Sequence, residues 1–301
     1  MKKMIATYAL LMVLSMIFVS CEHKELCYSH PHSAKVSMVF DWSQMPAACA
    51  PGDMRVIFYP RNGGEEIVRD FVGKKGGCVE IPSGVYDVVC FNNDTQRVKY
   101  NGDDGFSSIA ATTGVAQVGD VKAFRTPDYL CGGRLAAVVV EVKIGCEQTI
   151  ELPVTPMVCR YTYSVRGVKN LQNFSECVAV QRLMCSEYSV GGDREIQESR
   201  AEVCFAMERS GDAITGSCYT FGAADCDEYK TILYIRTANG KMVKGEYDVT
   251  QQINSQKGHL KNVDIVIDTD LDLDKQGGGT GGFGFDPSVD DWGDIESDII
   301  L

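Results

Sequence analysis

Beyond its first 34 residues, the chain is patterned as a series of short β-strands. Apolar and polar positions alternate over 35–40 and, most clearly, over 159–167, as expected when successive side chains point to opposite faces of a sheet. Other short runs are rich in β-branched and aromatic residues, which favour strands. Together these patterns predict further strands at 54–59, 85–91, 135–144, 177–183, 200–207, 214–221, 230–237, 243–249 and 262–275. No stretch keeps a helical period for a useful length, although a short helix around 107–112 is compatible with the pattern.

Turn sequences separate the predicted strands, for example Asn-Gly-Gly at 62–64 and Ala-Asn-Gly-Lys at 238–241. Regular short strands joined by turns predict β-sandwiches. Residues 151–157 carry two prolines between strand-like segments and are the candidate domain boundary.

The predicted organisation is therefore all-β, with two tandem β-sandwich domains. The N-terminal domain covers 35–154 and the C-terminal domain covers 155–275. A glycine-rich linker and a terminal strand segment follow over 276–301. That segment can complete its own sheet or pair with the exposed edge of a neighbour, and the sequence leaves both possibilities open.

The first 20 residues have the pattern of a lipoprotein signal peptide. Lys2 and Lys3 precede an uncharged apolar run over 4–19, and Ser20 stands directly before Cys21. The run is short for a membrane span. We expect cleavage before Cys21, whose thiol would carry diacylglycerol, so that 1–20 is the signal peptide and 21–34 a lipidated tether. An ordinary secretory signal and an N-terminal anchor helix are the alternatives.

Charge narrows the range of partners. The chain carries 29 basic and 41 acidic residues, a formal net charge of −12. Such a chain has no basic surface for the phosphates of a nucleic acid, and anionic lipid would repel it. Membrane attachment would therefore depend on the lipid at Cys21 and not on charge.

Cysteine is abundant, with 13 residues. Without Cys21 twelve remain, enough for six disulfides in an exported chain. The sequence contains no Cys-x-x-Cys pair, and many of the cysteines lie in apolar strand-like runs, where a thiol behaves as a small core residue. We expect a minority to be paired.

Candidate metal ligands are few. Cys27, His30 and His32 are suitable in type, but they lie on the predicted tether, which would not fix their geometry. The aspartates of 268–274 do not form an EF-hand loop, because its sixth and twelfth positions hold Leu273 and Gly279. A solvated acidic strand face is the favoured interpretation, and no metal site is predicted.

Catalytic chemistry is not indicated either. His259 is the only histidine outside the tether and the signal peptide, and no nucleophile turn of the Gly-x-Ser-x-Gly kind is present. Glycine-rich 277–282 does not lie between a strand and a helix, so no nucleotide-binding loop is predicted. We expect no enzyme activity and no cofactor.

Five segments carry a family resemblance: CEHKELCYSHPH with KVSMVFDW near the start, TPDYLCGG (126–133), VCRYTYSVRGVKNLQNF (158–174), GKMVKGEYDVTQQI (240–253) and GGFGFDPSVDDW (281–292). Together they resemble one Bacteroidales lipoprotein family related to fimbrillin-like proteins and fimbrial anchor subunits. Glu22, Lys24 and Glu25 resemble the segment that directs such lipoproteins to the outer face of the outer membrane, and a generic polar spacer is the alternative. The resemblance implies transthyretin-like topology for both sandwiches and a non-enzymatic role.

The resulting hypothesis is a surface-exposed lipoprotein of the outer membrane that acts as a fimbrial anchor or accessory subunit. Lipid on Cys21 would hold it to the membrane, and strand addition would join it to fimbrial subunits. Whether it serves as anchor, shaft or tip is left open. The alternative is a surface lipoprotein that binds a glycan or another ligand through exposed aromatics, for which the candidates are Tyr28, Trp42, Tyr59 and Trp292.

Overall fold

The computed structural model describes residues 33–46, 49, 51–102, 105–142, 147–256 and 262–274, which form an all-β molecule. The strands before residue 126 are β1 (Ser33–Asp41), β2 (Asp53–Pro60), β3 (Ile67–Val72), β4 (Gly77–Pro82), β5 (Gly84–Asn92), β6 (Val98–Asn101), β7 (Ala110–Thr113), β8 (Val115–Val118) and β9 (Val121–Arg125). Those after it are β10 (Cys131–Val140), β11 (Gln148–Pro153), β12 (Thr155–Pro156), β13 (Cys159–Arg166), β14 (Phe174–Cys185), β15 (Glu187–Ser189), β16 (Arg194–Glu195), β17 (Arg200–Ser210), β18 (Ala213–Thr220), β19 (Lys230–Thr237), β20 (Met242–Asp248) and β21 (Asn262–Asp268). Two short helical elements are also present, a 3-10 turn (Leu171–Asn173) and helix α1 (Thr250–Gln256). Within these residues, no helix has the length and apolar character needed to span a membrane.

The first half is a sandwich of two sheets. One sheet has the strand order β11-β1-β4 and the other has the order β12-β10-β5-β2-β3. Alternate side chains of each strand point between the sheets, so the two sheets share one core. Val36, Met38, Val56, Phe58 and Val88 are among its fully buried members.

The second half is also a sandwich, although its strands form one continuous path. The order is β20-β19-β14-β17-β18-β13-β21. The C-terminal end of β17 pairs with β18, and at this point the strands continue from one layer of the sandwich to the other. The enclosed core includes Tyr161, Tyr163, Phe205, Leu233 and Ile265. The period-2 pattern predicted for 159–167 is therefore the inner face of β13.

The two sandwiches have the same topology. In each, the first strand is parallel to the last and antiparallel to the fourth, the second lies between the third and the fifth, and the fifth pairs with the sixth. The seven strands are β1, β2, β3, β4, β5, β10 and β11 in one half, and β13, β14, β17, β18, β19, β20 and β21 in the other. This is the transthyretin-like order, so the predicted fold class is confirmed. The boundary at 154/155 stays a prediction.

Residues 93–130, which connect β5 to β10, reach across to the second half. Strands β6 and β7 join β15 and β16 in a four-stranded sheet with the order β16-β15-β7-β6. Strands β8 and β9 form a hairpin, and β9 pairs in parallel with β17. Strands that precede residue 126 therefore share sheets with strands of the second half.

A third hydrophobic core lies between the halves. Val89 and Phe91 contribute to it from the outer face of β5, while Cys185, Tyr188 and Phe221 contribute from the second half. Strands β2 and β5 are thus buried on both faces, which accounts for their unbroken apolar runs Val-Ile-Phe-Tyr and Val-Val-Cys-Phe. The two sandwiches are joined by packed side chains as well as by the chain itself.

A fourth core covers the outer face of the second sandwich. Val118 and Ala123 of the β8–β9 hairpin pack against Val180 of β14 and Ile232 of β19. The hairpin therefore protects a sheet face that would otherwise expose apolar residues to solvent.

Most predicted strands are confirmed within a few residues, and 230–237 matches β19 at both ends. The strand predicted at 135–144 is instead β10, Cys131–Val140. The helix predicted near 107–112 is wrong. Ala110–Thr113 is strand β7, because β6 and β15 pair with its two edges and supply the backbone hydrogen bonds.

The strand predicted over 262–275 ends at Asp268. Beyond that point the acidic segment is not wholly solvated. Asp272 accepts a hydrogen bond of 2.7 Å from Asn170, and Asp274 accepts one from Asn173. These contacts attach the end of the segment to the connection between β13 and β14.

Candidate strand-pairing edges

The described surface offers clefts and strand edges as candidate binding sites. One open cleft of about 660 Å³ is lined by Arg182, Arg200, Asp225, Glu228 and Lys230. Basic and acidic side chains alternate around it, so it selects no single charge, and it lacks the apolar lining of a small-molecule pocket. The strand edges are more informative.

The last strand of each sandwich, β11 or β21, lies at the edge of its sheet. Strand β11 pairs with β1, and β21 pairs in the same parallel manner with β13. The outer side of such a strand presents N–H and C=O groups that another strand can bind. The two sandwiches treat this equivalent edge differently.

The edge of β21 is closed by two glutamine side chains of α1, which we call the glutamine clip. The Gln252 amide donates to the Val266 carbonyl at 2.9 Å and accepts from the Val266 N–H at 2.7 Å. Gln256 makes the same pair of hydrogen bonds with Asp264, both at 3.0 Å. Each carboxamide therefore bonds to β21 as the peptide group of a neighbouring strand would.

The clip depends on matched spacing between helix and strand. Gln252 and Gln256 are one turn apart on α1, a rise of about 6 Å. Their partners Asp264 and Val266 are two residues apart on β21, a rise of about 6.6 Å. Both amides can therefore reach consecutive outward-facing backbone positions at once.

Helix α1 is fixed against the second sandwich by contacts at its start and in its middle. Asp248 accepts a hydrogen bond of 2.9 Å from the Thr250 N–H, and the bonds from Thr250 hold the pKa of this carboxyl below its usual value. The Thr250 hydroxyl accepts from the Tyr229 N–H at 2.8 Å. Ile253 is buried in the core, on a helix face adjacent to that of the two glutamines.

The edge of β11 has no corresponding cap among the described residues. In place of α1, residues 141–147 connect β10 to β11, and 143–146 lie outside the described part. At the start of β11, the Gln148 side chain binds the end of β10, donating to Val139 O at 2.6 Å and accepting from Glu141 N–H at 3.2 Å. Over 149–152, the described side chains form no hydrogen bonds to the outer backbone of the strand. This edge is the candidate site for pairing with another chain.

The first sandwich packs directly against the second. Besides the third core, Tyr129 and Tyr219 pack edge to face with ring centroids 5.5 Å apart. Nearby, the Thr126 hydroxyl donates to Tyr219 O and accepts from Tyr219 N–H, both at 2.9 Å. A load applied to one sandwich would therefore pass to the other through packed and hydrogen-bonded contacts.

The aromatics predicted for ligand binding do not converge where the structure describes them. Trp42 donates from Nε1 to Lys74 O at 2.9 Å and packs edge to face on Phe40. Tyr59 is buried in the third core. Both rings thus serve internal packing, on different cores. Tyr28 and Trp292 lie outside the described residues.

The other predicted site residues also lie outside the described part of the chain. These are the lipidation site Cys21, the tether residues Cys27, His30 and His32, and His259. Among the residues that the structure describes, no three His, Cys, Asp or Glu side chains are grouped to hold a metal ion. The sequence reasoning missed the glutamine clip, although glutamines four apart in a short polar segment before an alternating strand were a usable signal.

The sequence matches the family described as "Domain of unknown function (DUF5119)" over residues 20–206. It is 25% identical over 216 residues to a Bacteroides ovatus protein named "Putative fimbrium anchoring subunit Fim4B". That alignment covers 69% of this chain and 63% of the relative, so the chain spans less than two thirds of the relative's length.

Two solved structures have a similar fold. A crystal structure of a "putative adhesin" from Bacteroides ovatus aligns with a TM-score of 0.67 at 19% identity, covering 86% of this chain and 99% of the other. The fimbrial anchor protein Mfa2 from Porphyromonas gingivalis aligns with a TM-score of 0.50 at 16% identity, covering 79% of this chain and 91% of the other. At these identities the likeness shows the fold alone.

Proposed function

We propose that this chain, which belongs to the DUF5119 family, is a non-catalytic subunit that anchors a fimbria or assists its assembly. The observation that carries this proposal is the edge of β11, which no described side chain caps, on a sandwich packed against its neighbour. The names of the Bacteroides ovatus relative and of the Porphyromonas gingivalis neighbour support the same role. The domain boundary at 154/155 is part of this proposal.

The mechanism is mechanical. A strand of a fimbrial subunit pairs with β11 through main-chain hydrogen bonds, which give affinity without requiring a pocket. The glutamine clip keeps the equivalent edge of β21 from competing. The third core transmits load between the sandwiches, so the joint does not act as a hinge.

Attachment to the outer membrane would come from lipid on Cys21, with the chain on the cell surface. The apolar run before Cys21 and the acidic character of the chain support this part of the proposal. Buried acyl chains resist extraction by about 0.8 kcal/mol per CH₂ group. The tether over 21–34 would separate the lipid from β1.

The test combines site-specific photocrosslinking with fractionation in the source bacterium. A photoreactive residue replaces Glu151 on β11 or, as a matched control, Val266 on β21, since both are exposed residues at the middle of their edge strands. We expect Glu151 probes to capture a fimbrial subunit and Val266 probes to capture none. Equal capture at both positions, or at neither, would overturn the proposed pairing edge.

Fractionation of the same cells tests whether the protein is attached to the membrane. Cys21→Ala should move the protein from the membrane fraction to the soluble fraction, because the acylated thiol is lost. Retention of this variant in the membrane would overturn the lipid anchor while leaving the crosslinking result intact.

A further inference from the structure

Strand β20 lies at one end of the strand path of the second sandwich. It pairs with β19 on one side, and no other described strand pairs with its outer side. The ladder with β19 continues in a hydrogen bond of 2.9 Å from the Thr237 N–H to Lys241 O. Because hydrogen-bonded pairs alternate along an antiparallel ladder, positions 243, 245 and 247 also bond to β19. Four residues therefore direct their N–H and C=O groups outward: Met242, Lys244, Glu246 and Asp248.

Side chains bond to the outer backbone of other edge strands but not to that of β20. Arg69 donates to Val68 O on β3 at 2.8 Å and to Glu80 O on β4 at 3.4 Å. The glutamine clip binds β21, and Gln148 binds the end of β10. Among the described residues, no side chain bonds to the four outward backbone positions of β20. This edge can therefore accept another strand.

The residues of β20 carry opposite charges on the outer face of the sheet. Lys244 and Glu246 are exposed there, on either side of Gly245. Lys244 Nζ lies 5.4 Å from the ring centroid of Tyr234, and Glu246 forms an ion pair of 3.1 Å with Lys230. Both contacts are made with β19, so the two charges are held on this face beside the edge.

We propose that a second copy of this chain binds at this edge, with the two β20 strands antiparallel about a two-fold axis through Gly245. In this register Lys244 of each copy faces Glu246 of the other, and facing opposite charges stabilise a strand pair. A shift of two residues either way would set Lys244 against Lys244 or Glu246 against Glu246, which is unfavourable. The four outward residues of each strand would exchange about eight main-chain hydrogen bonds.

Gly245 suits the position on the axis. Facing residues of a non-hydrogen-bonded pair have Cα atoms about 4.5 Å apart, so side chains are crowded there. A Cβ at position 245 would lie 2.6 Å from the Tyr247 hydroxyl of the same strand, so this ring already requires glycine. The missing side chain also lets the two backbones approach. On the inner face, Val243 would face Tyr247 of the other copy. The inference does not rest on the proposed fimbrial role, which uses the edge of β11.

The test is photocrosslinking between isotopically distinct copies of the full-length chain. Heavy and light copies are purified in detergent and mixed, with a photoreactive residue in place of Met242, which would face Asp248 of the other copy. We expect heavy–light peptide pairs that join position 242 to the peptide around Asp248. A matched probe at Thr162, an exposed position on the central strand β13, should give none. Links within one copy only, including links to 275–301, or equal linking from Thr162, would overturn the proposal.

Charge reversal tests the register. Lys244→Glu should lower the heavy–light yield roughly tenfold, because two attractive pairs become two repulsive ones. Adding Glu246→Lys should restore the yield, since opposite charges again face each other. Lys99→Glu on the edge strand β6 is the matched control, because it changes the net charge equally at another exposed position, and it should leave the yield unchanged. A double variant that links no better than Lys244→Glu alone would contradict the two-fold pairing.

Discussion

The two sandwiches share seven strands in one order but differ at the edge of the last strand. In the second, α1 stands between β20 and β21 and its glutamines occupy the backbone of β21. In the first, residues 141–147 make the same connection, and the described side chains leave the edge of β11 uncapped. The difference teaches that in the second sandwich the edge is closed by the connection before the last strand, and not by the strand itself.

The sandwiches differ also in the connection between their fifth and sixth strands. In the second, β19 and β20 are joined by a tight turn at 238–241. In the first, residues 93–130 fill that place and form β6, β7, β8 and β9, which pair with strands of the second half. The first sandwich therefore supplies the strands that join the two sandwiches.

Phe91→Ala should have the largest effect on this comparison, because it removes a ring from the third core. Phe91 is buried between the halves and stacks on Tyr100 at 4.3 Å between centroids. We expect a loss of about 3–5 kcal/mol and, by calorimetry, separation of one unfolding transition into two.

The control is Phe58→Ala, which removes a ring of the same size from the core of the first sandwich alone. It should destabilise the protein comparably but keep a single transition, since the third core is intact. If Phe91→Ala also unfolds in one step, the third core does not couple the halves.

Opening the glutamine clip should have an intermediate effect. The double variant Gln252→Ala, Gln256→Ala removes four hydrogen bonds from a partly exposed edge, and we expect a loss of about 1–3 kcal/mol. Hydrogen exchange should accelerate at the Asp264 and Val266 amides, and the second sandwich should begin to self-associate through its exposed edge.

Gln251→Ala is the matched control, because Gln251 lies on the same helix but is exposed. It should leave exchange at β21 unchanged. Unchanged exchange in the double variant would mean that the clip does not protect the edge of β21. The proposed difference between the edges of the two sandwiches would then be contradicted.

The smallest effect is expected at the Arg55–Asp70 pair, which links β2 to β3 on the first sandwich. Arg55 donates two hydrogen bonds of 2.8 Å to Asp70 and holds the pKa of that carboxyl below its usual value. A lowered pKa in the folded state contributes stability above the unfolded pKa of about 4, and the contribution is lost as the pH falls through the folded value.

Asp70→Asn should therefore cost about 0.5 kcal/mol at pH 7, since both side chains are well exposed, and nothing near pH 2. Thermal unfolding at both pH values measures this difference. A loss of stability for Asp70→Asn that is the same at both pH values would contradict the ionic origin of the pair. The glutamine amides of the clip do not titrate, so the loss from opening the clip should not depend on pH in this way.

Sequence reasoning recovered the strands whose side chains alternate or form dense apolar runs, such as β1, β2, β5, β13 and β19. It missed β3, β4 and β11, because these strands expose much of their surface and their composition is mixed. It placed a helix at 107–112, where the pairing partners of Ala110–Thr113 come from 98–101 and 187–189. No local signal identifies the partner at 187–189, which is more than 70 residues away in sequence.

By itself, the sequence determined the all-β class and the presence of two sandwiches, because period-2 patterning and turn residues are local properties of the chain. Only the tertiary structure decided which strands became edges and which edge was closed. Both depend on where a connection packs: 93–130 against the second half, and α1 along β21. Such contacts are set by the packing of whole sheets, which local pattern does not encode.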